Sequence, residues 1–582
     1  MLKKYVLQIM TFFLVAVAAG QSNMPYSAYS NLIKDIGTEG VYVHYNTNLL
    51  FTGEYLHFKL YALSKKNQSL SKTSKIAYVE LLDGDGERKI IQKVKLVDGM
   101  GQGDIFVPTN LDSGHYTFVA YTAYMKNWPS DTFFADDVVV LNPYTNDQKV
   151  FWESKGKDSL DDGLMNLNKE ATKTLSKDLG LALDKSQYGK REKVRLKVET
   201  KPNNSGIYSI SVRKLSKELT YGDRISPVDY TKNYKLVDLD EASNDYLPDL
   251  RGEMVAGRLS SINGLQTMNK KVVFSLPGNQ YSFKMVTTDS EGKFRFSLHS
   301  ENLDTESIFQ VWGVDKDQYS VEVASVPELN LRRSPSKHFV LNKGMKKLIE
   351  ERSTHNQIEN AYFNSKPDTV KLNNNFIPIY GNNFIEYNLD EYTRFPTFRE
   401  TLVEIVDNAW IASNNEGEEN IFVRDFEATN MDVGYNPLII VDGILLQDHE
   451  DLIDYDVKRV ETIRLARNQY VVGGQIFQGV FDVKTFDSDF AENYQKTYLN
   501  KISLLRPKPQ KKYFKQNYGS KTFGTIPDFR QQLLWEPNLE LGEPTTTLEF
   551  YTSDLEGEFE IVIEGFTARM QPVKVVTKFK VQ

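Results

Sequence analysis

The chain has no cysteine. Disulfides, iron–sulfur clusters and Cys-ligated zinc are therefore excluded. So is the lipid-modified cysteine of an exported lipoprotein. Histidine is scarce, with seven residues, and no two lie at i, i+4, so there is no zincin-type helix. There is no G-x-S-x-G nucleophile elbow and no G-x-x-x-x-G-K-[ST] phosphate loop. No excess of positive charge exists either. The net charge is −8, against the basic face that a nucleic-acid partner demands. Beyond the first 20 residues, no apolar run is long enough for a membrane-spanning helix.

What is present begins with Lys3 and Lys4, an apolar stretch from Val6 to Ala19, and the small residues Ala18, Ala19 and Gly20 before Gln21. That is the three-part pattern of a secretory signal, expected over 1–20. The alternative, a permanent anchor, fits less well, because the stretch is short and Gln8 and Thr11 interrupt it. The 582 residues suggest three to five domains, at roughly 100–200 residues each. Tyr (32) and Phe (33) are abundant, as expected of strands with packed faces.

The chain reads as mainly β. Strand segments with turn signals between them recur from Val41 to Tyr121: Val41–Tyr45, Tyr55–Tyr61, Ala77–Leu82 and Tyr116–Tyr121. Such spacing predicts a sandwich. After a polar stretch at 153–178, Val194, Leu196 and Val198 alternate with basic residues, a strand with one wet face. Val272–Leu276 and Phe294–Leu298 flank the turn Thr287–Lys293. Helices are expected over Met345–Tyr362 and Phe398–Val406. Leu438–Val441 is a short apolar strand turned by Asp442-Gly443, and Val460–Leu465 and Gly479–Thr485 are two more. The basic, aromatic stretch at 500–524 reads as a linker. A last β unit holds Thr547–Phe550 and Phe559–Ile563.

Several segments resemble known modules. Val41-Tyr42-Val43-His44 with Gly53–Lys59 and the turn Asp112–Tyr116 is similar to the opening of the MG2 macroglobulin-like domain. Tyr188-Gly189 with Val194–Val198 looks like a second macroglobulin-like entry strand. Gly257–Phe296, above all Thr288-Asp289-Ser290-Glu291-Gly292-Lys293-Phe294-Arg295-Phe296, resembles the carboxypeptidase-regulatory-like module. Pro437–Thr485 resembles the plug domain of SusC-type TonB-dependent receptors, through Leu438–Gly443, Asp456–Arg464 and Gly479–Thr485. A receptor barrel of about 22 strands needs over ~200 residues. Only 97 follow Thr485, so no barrel is expected from them. The order of modules is similar to that of a family of large exported proteins of Gram-negative envelopes. These resemblances imply tandem Ig-like/macroglobulin-like β-sandwiches plus a small α+β plug-like domain. The boundaries are 1–20 signal, 21–145 MG2 sandwich, 179–246 second macroglobulin-like unit, 249–335 regulatory-like sandwich, 375–490 plug-like domain and 525–582 C-terminal β domain. The thioester of macroglobulins needs a cysteine, so that covalent chemistry is absent here.

No catalytic, cofactor-binding or metal-ligating residue is assigned, and no cofactor. His44 and His57 could face each other across neighbouring strands, but exposed strand positions are the favoured reading. Gly99-Met100-Gly101-Gln102-Gly103 reads as a loop between strands, and Asp83–Glu87 as a hairpin turn rather than a calcium loop. The expected function is a non-catalytic periplasmic scaffold or binding protein. It would associate with an outer-membrane or periplasmic protein partner and so reach the membrane peripherally, without nucleic acid. A glycan- or peptide-binding accessory of a SusC-type uptake system is the alternative. Its stacking candidates are Trp128, Trp152, Trp312, Trp410 and Trp535. Secretion beyond the cell is a second alternative for location. No docking surface is named from the sequence; the Val41–Tyr61 strands and the Pro437–Thr485 unit are the first places to mutate in search of one.

Overall fold

In a computed structural model, the residues described are 36–582 except 65, 153–178, 234–245, 279, 300–304, 330, 336–337, 372–375, 414–416, 427–434 and 520–523. The signal expected over 1–20 and the polar stretch at 153–178 lie outside the described residues. The rest is mainly β, in tandem sandwiches with one mixed-sheet module.

The first sandwich spans Glu39–Leu141. One sheet joins Glu39–Tyr45, Tyr55–Ser64, Ser69–Leu70 and Met100–Phe106, and the other runs through Leu49–Phe51, Phe134–Leu141, Gly114–Thr122, Ile76–Leu82 and Arg88–Lys95. Tyr42, Leu60, Val79 and Phe118 belong to its core. Gly99–Gly103 is not a loop, because Gly101 and Gly103 lie inside the strand Met100–Phe106. A Cβ on Gly103 would stand 2.5 Å from Phe58 Cζ, so the glycine makes room for a core ring. Asp83–Glu87 is the expected turn. The Asp83 carboxylate accepts from the backbone N–H of Asp85 and Glu87, both at 2.9 Å.

The units expected at 179–246 and 525–582 are one sandwich, not two. Lys193–Thr200 pairs with Thr545–Tyr551, and Gly206–Lys214 lies between Gly557–Thr567 and Gln532–Leu541. Val194, Leu196 and Val198 point into a core shared with Leu534, Phe559, Ile561 and Phe579. The physical reason is area. The early strands alone cannot cover their apolar faces, and the late strands supply the missing sheet.

The third sandwich, Glu253–Val323, has a four-stranded sheet that takes Asn500–Ser503 as its edge strand. The expected linker at 500–524 is therefore not simply a linker. Pro507–Lys508 then extends a sheet of the first sandwich, and Lys511–Lys512 pairs with Thr369–Val370. Arg506 and Lys93 both reach Glu253, at 2.8 and 2.7 Å, so this strap ties the first and third sandwiches. Paired backbone and buried charge hold an otherwise polar segment in place.

The mixed-sheet module orders Ile385–Asn388, Val460–Val472, Gln475–Thr485, Leu438–Val441 and Ile444–Leu446. Strand alternation sends Ile439, Val441 and Phe481 into its own core with Phe398 and Leu402 of the helix Phe398–Glu404. Leu438, Ile440 and Val480 face Tyr281, Phe283 and Met285 of the third sandwich. Asp442 and Gly443 form the turn at φ 48° and 88°. A Cβ on Gly443 would sit 2.3 Å from Tyr281 Cβ, so only glycine lets the sandwich approach.

Candidate functional site

The polar residues of the chain gather where the modules meet. At the first junction, the strands around Val41–Tyr61 press on the composite sandwich. Tyr42 donates to Glu564 at 2.7 Å, and Lys574 Nζ stands 3.2 Å from the same carboxylate. His44 Nδ1 is 2.6 Å from Ser209 Oγ, and its Nε2 is 3.8 Å from Glu564. Burial pushes the His44 ring down to about 3, so it is neutral at ordinary pH. Burial opposes the charge on Glu564, but Lys574 first, then Arg224 and the Tyr42 hydroxyl outweigh it and hold the carboxyl below its ordinary value, with no charge from the neutral His44.

His44 is thus fully buried rather than exposed, and His57 lines an enclosed cleft. The strand Glu39–Tyr45 is buried on both faces because a second domain covers the side expected to be wet. The same burial closes off the strand Glu39–Tyr45, whereas Gly53–Tyr55 and His57 line the cleft. The strands Leu438–Val441 and Ile444–Leu446 are likewise covered on both faces, while the tip of the Val460–Val472 and Gln475–Thr485 hairpin is exposed at Val471 and Ile476. Of the five tryptophans, Trp128 and Trp535 are buried, Trp312 and Trp410 are half-buried, and Trp152 is 60% exposed.

The cleft, of about 200 Å³, opens at the meeting of the first sandwich, the composite sandwich, the helix Lys346–Ala361 and the strap. Sequence periodicity expects that helix to bury Leu348, Ile349 and Ile358. Its anchoring is largely polar. Arg352 grips Glu54 with two hydrogen bonds, at 2.8 and 2.7 Å. Asn356 and Asn360 donate to the carbonyls of Thr52 and Gly53, both at 3.0 Å. The backbone N–H groups of Thr52, Gly53 and Glu54 already reach backbone carbonyls, and these amides take up the carbonyls of Thr52 and Gly53.

Arg213, from the composite sandwich, also reaches Glu54, at 3.6 Å. Two guanidiniums therefore share one carboxylate. Burial pushes Arg213 down to about 10 and it stays charged. Burial also pushes His57 down to about 4, so this ring is neutral, with Nδ1 3.3 Å from Asn46 Nδ2. Tyr55 and Phe363 stack at the mouth, with centroids 5.8 Å apart. Trp535 lines the wall, and its buried Nε1 has no acceptor. The other end is neutralised. Lys366 pairs with Glu359 at 2.7 Å, and Arg530 with Asp528 at 2.7 Å.

Of the residues singled out by sequence, only His57 and Trp535 come to this cleft. Glu54, Arg213 and Arg352 were missed. A charged residue in a turn gives no sign of a partner 298 positions away. Among the described residues, no group of three or more His, Asp or Glu could hold a metal ion, and no helix is long and apolar enough to cross a membrane.

No family model matches the chain, and no curated protein does. Among solved structures it is similar to Escherichia coli alpha-2-macroglobulin activated by porcine elastase. The identity is 8%, over 94% of this chain and 44% of that one, with a TM-score of 0.23. It is also similar to Salmonella alpha-2-macroglobulin reacted with methylamine, at 9% identity over 94% and 39%, TM-score 0.23. The adhesin FdeC of Escherichia coli matches at 11% identity over 48% of this chain and 63% of that one, TM-score 0.14. The chain spans less than half the length of these macroglobulins. Superposition at such TM-scores carries no argument about activity or module arrangement.

Proposed function

We propose that this chain is a non-catalytic scaffold or binding protein of the bacterial cell envelope. In this reading it works in the periplasm, associates with an outer-membrane protein complex and grips its partner at the module junction. The observation that carries the reading is the cleft. Its walls come from five separated stretches of chain, and they bring Glu54, Arg213 and Arg352 together in one recess. The resemblance of 21–145 to an MG2 domain and of 375–490 to a receptor plug supports the place and the kind of partner. Tagged full-length chain recovered from native membranes should bring down an outer-membrane protein, identified by mass spectrometry. Substituting both Tyr55 and Phe363 by Ala should lower that yield. Recovery of no outer-membrane protein, or a yield indifferent to the mouth of the cleft, refutes the reading.

A second reading is an accessory that binds glycans or peptides for a SusC-type uptake system. The aromatic lining favours it, through Tyr55, Phe363, Phe514 and Trp535. Aromatic faces stack on such ligands at little entropic cost. Tryptophan emission that stays flat across a panel of glycans and peptides counts against it.

A further inference from the structure

The deep end of the cleft is not electrically closed. Glu54 carries one negative charge between two guanidiniums, and Arg352 takes both of its strong hydrogen bonds. The Arg213 guanidinium, 14% exposed, is left with the longer 3.6 Å contact. A guanidinium has five N–H donors, and this single contact leaves donors of Arg213 open to an incoming acceptor from the cleft. Beside it stands Trp535, only 3% exposed, with an indole N–H that has no acceptor. The neutral His57 adds no charge of its own at ordinary pH. A guanidinium held by a single long carboxylate contact and an indole N–H with no acceptor among the described residues thus line one recess, whose lining also holds Glu359 and Asp368. Its mouth is aromatic, where Phe363 is 44% exposed and stacks on Tyr55.

We infer that the cleft binds a carboxylate joined to an apolar or aromatic body, with Arg213 taking the carboxylate and the Tyr55–Phe363 pair taking the body. This rests on the reading of the cleft as the binding site and gives it a ligand class. Size agrees. The volume of about 200 Å³ lies below the ~300–1,000 Å³ of drug-sized pockets, and suits one residue or one small acid. A planar guanidinium matches a carboxylate with two parallel hydrogen bonds, which sulfonamide or amide groups cannot reproduce. Two sources offer this chemistry, the C-terminal end of a polypeptide and a free aryl acid.

The test is calorimetry on the full chain with three probes: acetyl-Gly-Gly-Phe with a free carboxylate, the same peptide as its C-terminal amide, and 3-phenylpropanoate. The free acid should bind at least about tenfold more tightly than the amide, as expected for a charge-assisted bidentate pair. Arg213→Gln should remove that preference and leave the weak amide binding where it was. Phe363→Ala, at the exposed rim, should weaken acid and amide alike by several-fold and leave the melting temperature unchanged. It serves where Arg213→Gln does not fold. Tighter binding of the peptide acid than of 3-phenylpropanoate assigns the polypeptide source, and the reverse assigns the free acid. Equal binding of acid and amide, no binding of either at millimolar concentration, or an acid preference that survives in a folded Arg213→Gln overturns the inference. Membrane co-purification that persists in a chain unable to bind the acid leaves the scaffold reading standing without it.

Discussion

Replacing Glu564 by Gln tests whether the first junction is held by charge. The carboxyl sits at about 2 in the fold, against an ordinary 4.5. At 1.36 kcal/mol per unit, the difference is at most about 3 kcal/mol of stabilisation at neutral pH, where His44 carries no charge. Glu564 is 1% exposed, so solvent screening removes little of it. Gln can still accept the Tyr42 hydrogen bond, so the loss isolates the charge. For a unit of 150–250 residues, about 3 kcal/mol corresponds to a melting shift of roughly 6–12 °C. The Trp535 ring lies 5.2 Å from His44, which makes tryptophan emission a local reporter of the junction. The sign with pH is fixed. The folded value lies below the unfolded one, so the contribution is complete above pH 4.5 and drains away as pH falls towards 2. His44 acts in the same direction over a higher window. Its folded value of about 3 lies below 6.5, so protonation of the unfolded chain erodes stability as pH falls from 6.5. The wild-type junction therefore weakens from pH 6.5 downwards, and Glu564→Gln removes only the part below pH 4.5. Adding Lys574→Met should return part of the lost stability, because Lys574 no longer lacks its partner. A melting temperature at pH 7.5 within about 2 °C of the wild type refutes the reasoning.

Three further outcomes follow from the packing. Gly103→Ala drives a methyl group to 2.5 Å from Phe58 Cζ and should cost about 1–3 kcal/mol in urea unfolding, recovered in part by Phe58→Leu. Asp482 is buried against Tyr281 and Tyr380, and burial raises its carboxyl to about 6. A raised folded value means stability is lost as pH rises through 6, so Asp482→Asn should stabilise the mixed-sheet module by about 1–3 kcal/mol at pH 8 and by little at pH 4. Deleting 525–582 should leave 179–214 open to limited proteolysis while the mixed-sheet module stays resistant. Equal resistance of both refutes the composite sandwich.

Local pattern was legible and long-range pairing was not. Val194, Leu196 and Val198 are buried while Arg195 and Lys197 are exposed, as alternation requires. Leu438–Val441 reads as an apolar strand, and both its faces are covered. Nothing near Arg195 announces Glu549, its ion-pair partner 354 residues away. The strap was missed because pieces of two to four residues have no periodicity to read. Its pairing depends on which sheet edges lie open, a property of the assembled modules. His44 was misplaced for a related reason. A histidine on a strand looks exposed until Ser209 arrives to bond its Nδ1 and Glu564 closes over it, and both belong to another module. The cleft inherits this difficulty in full, since Glu54, Arg213 and Arg352 lie on three distant stretches.

That assembly has a consequence for any occupant of the cleft. The walls exist together only when the composite sandwich has closed and the strap and helix are seated. An occupant therefore binds the complete fold and not its separate parts. By mass action, it stabilises the whole junction by about 2.7 kcal/mol at a hundredfold excess over its Kd. Arg213 lies on the strand Gly206–Lys214, which also carries Ser209, the partner of His44. The cleft and the charged junction thus share one strand. Between pH 7 and pH 5 the folded His44 stays neutral and Glu564 and Arg213 stay charged, because the loss of stability in that window comes from protonation of the unfolded chain. The affinity of a carboxylate for the folded chain should therefore hold nearly steady from pH 7 to pH 5 while the melting temperature falls. An affinity that drops several-fold over that window in a chain still fully folded would show that the junction and the cleft are coupled through this strand.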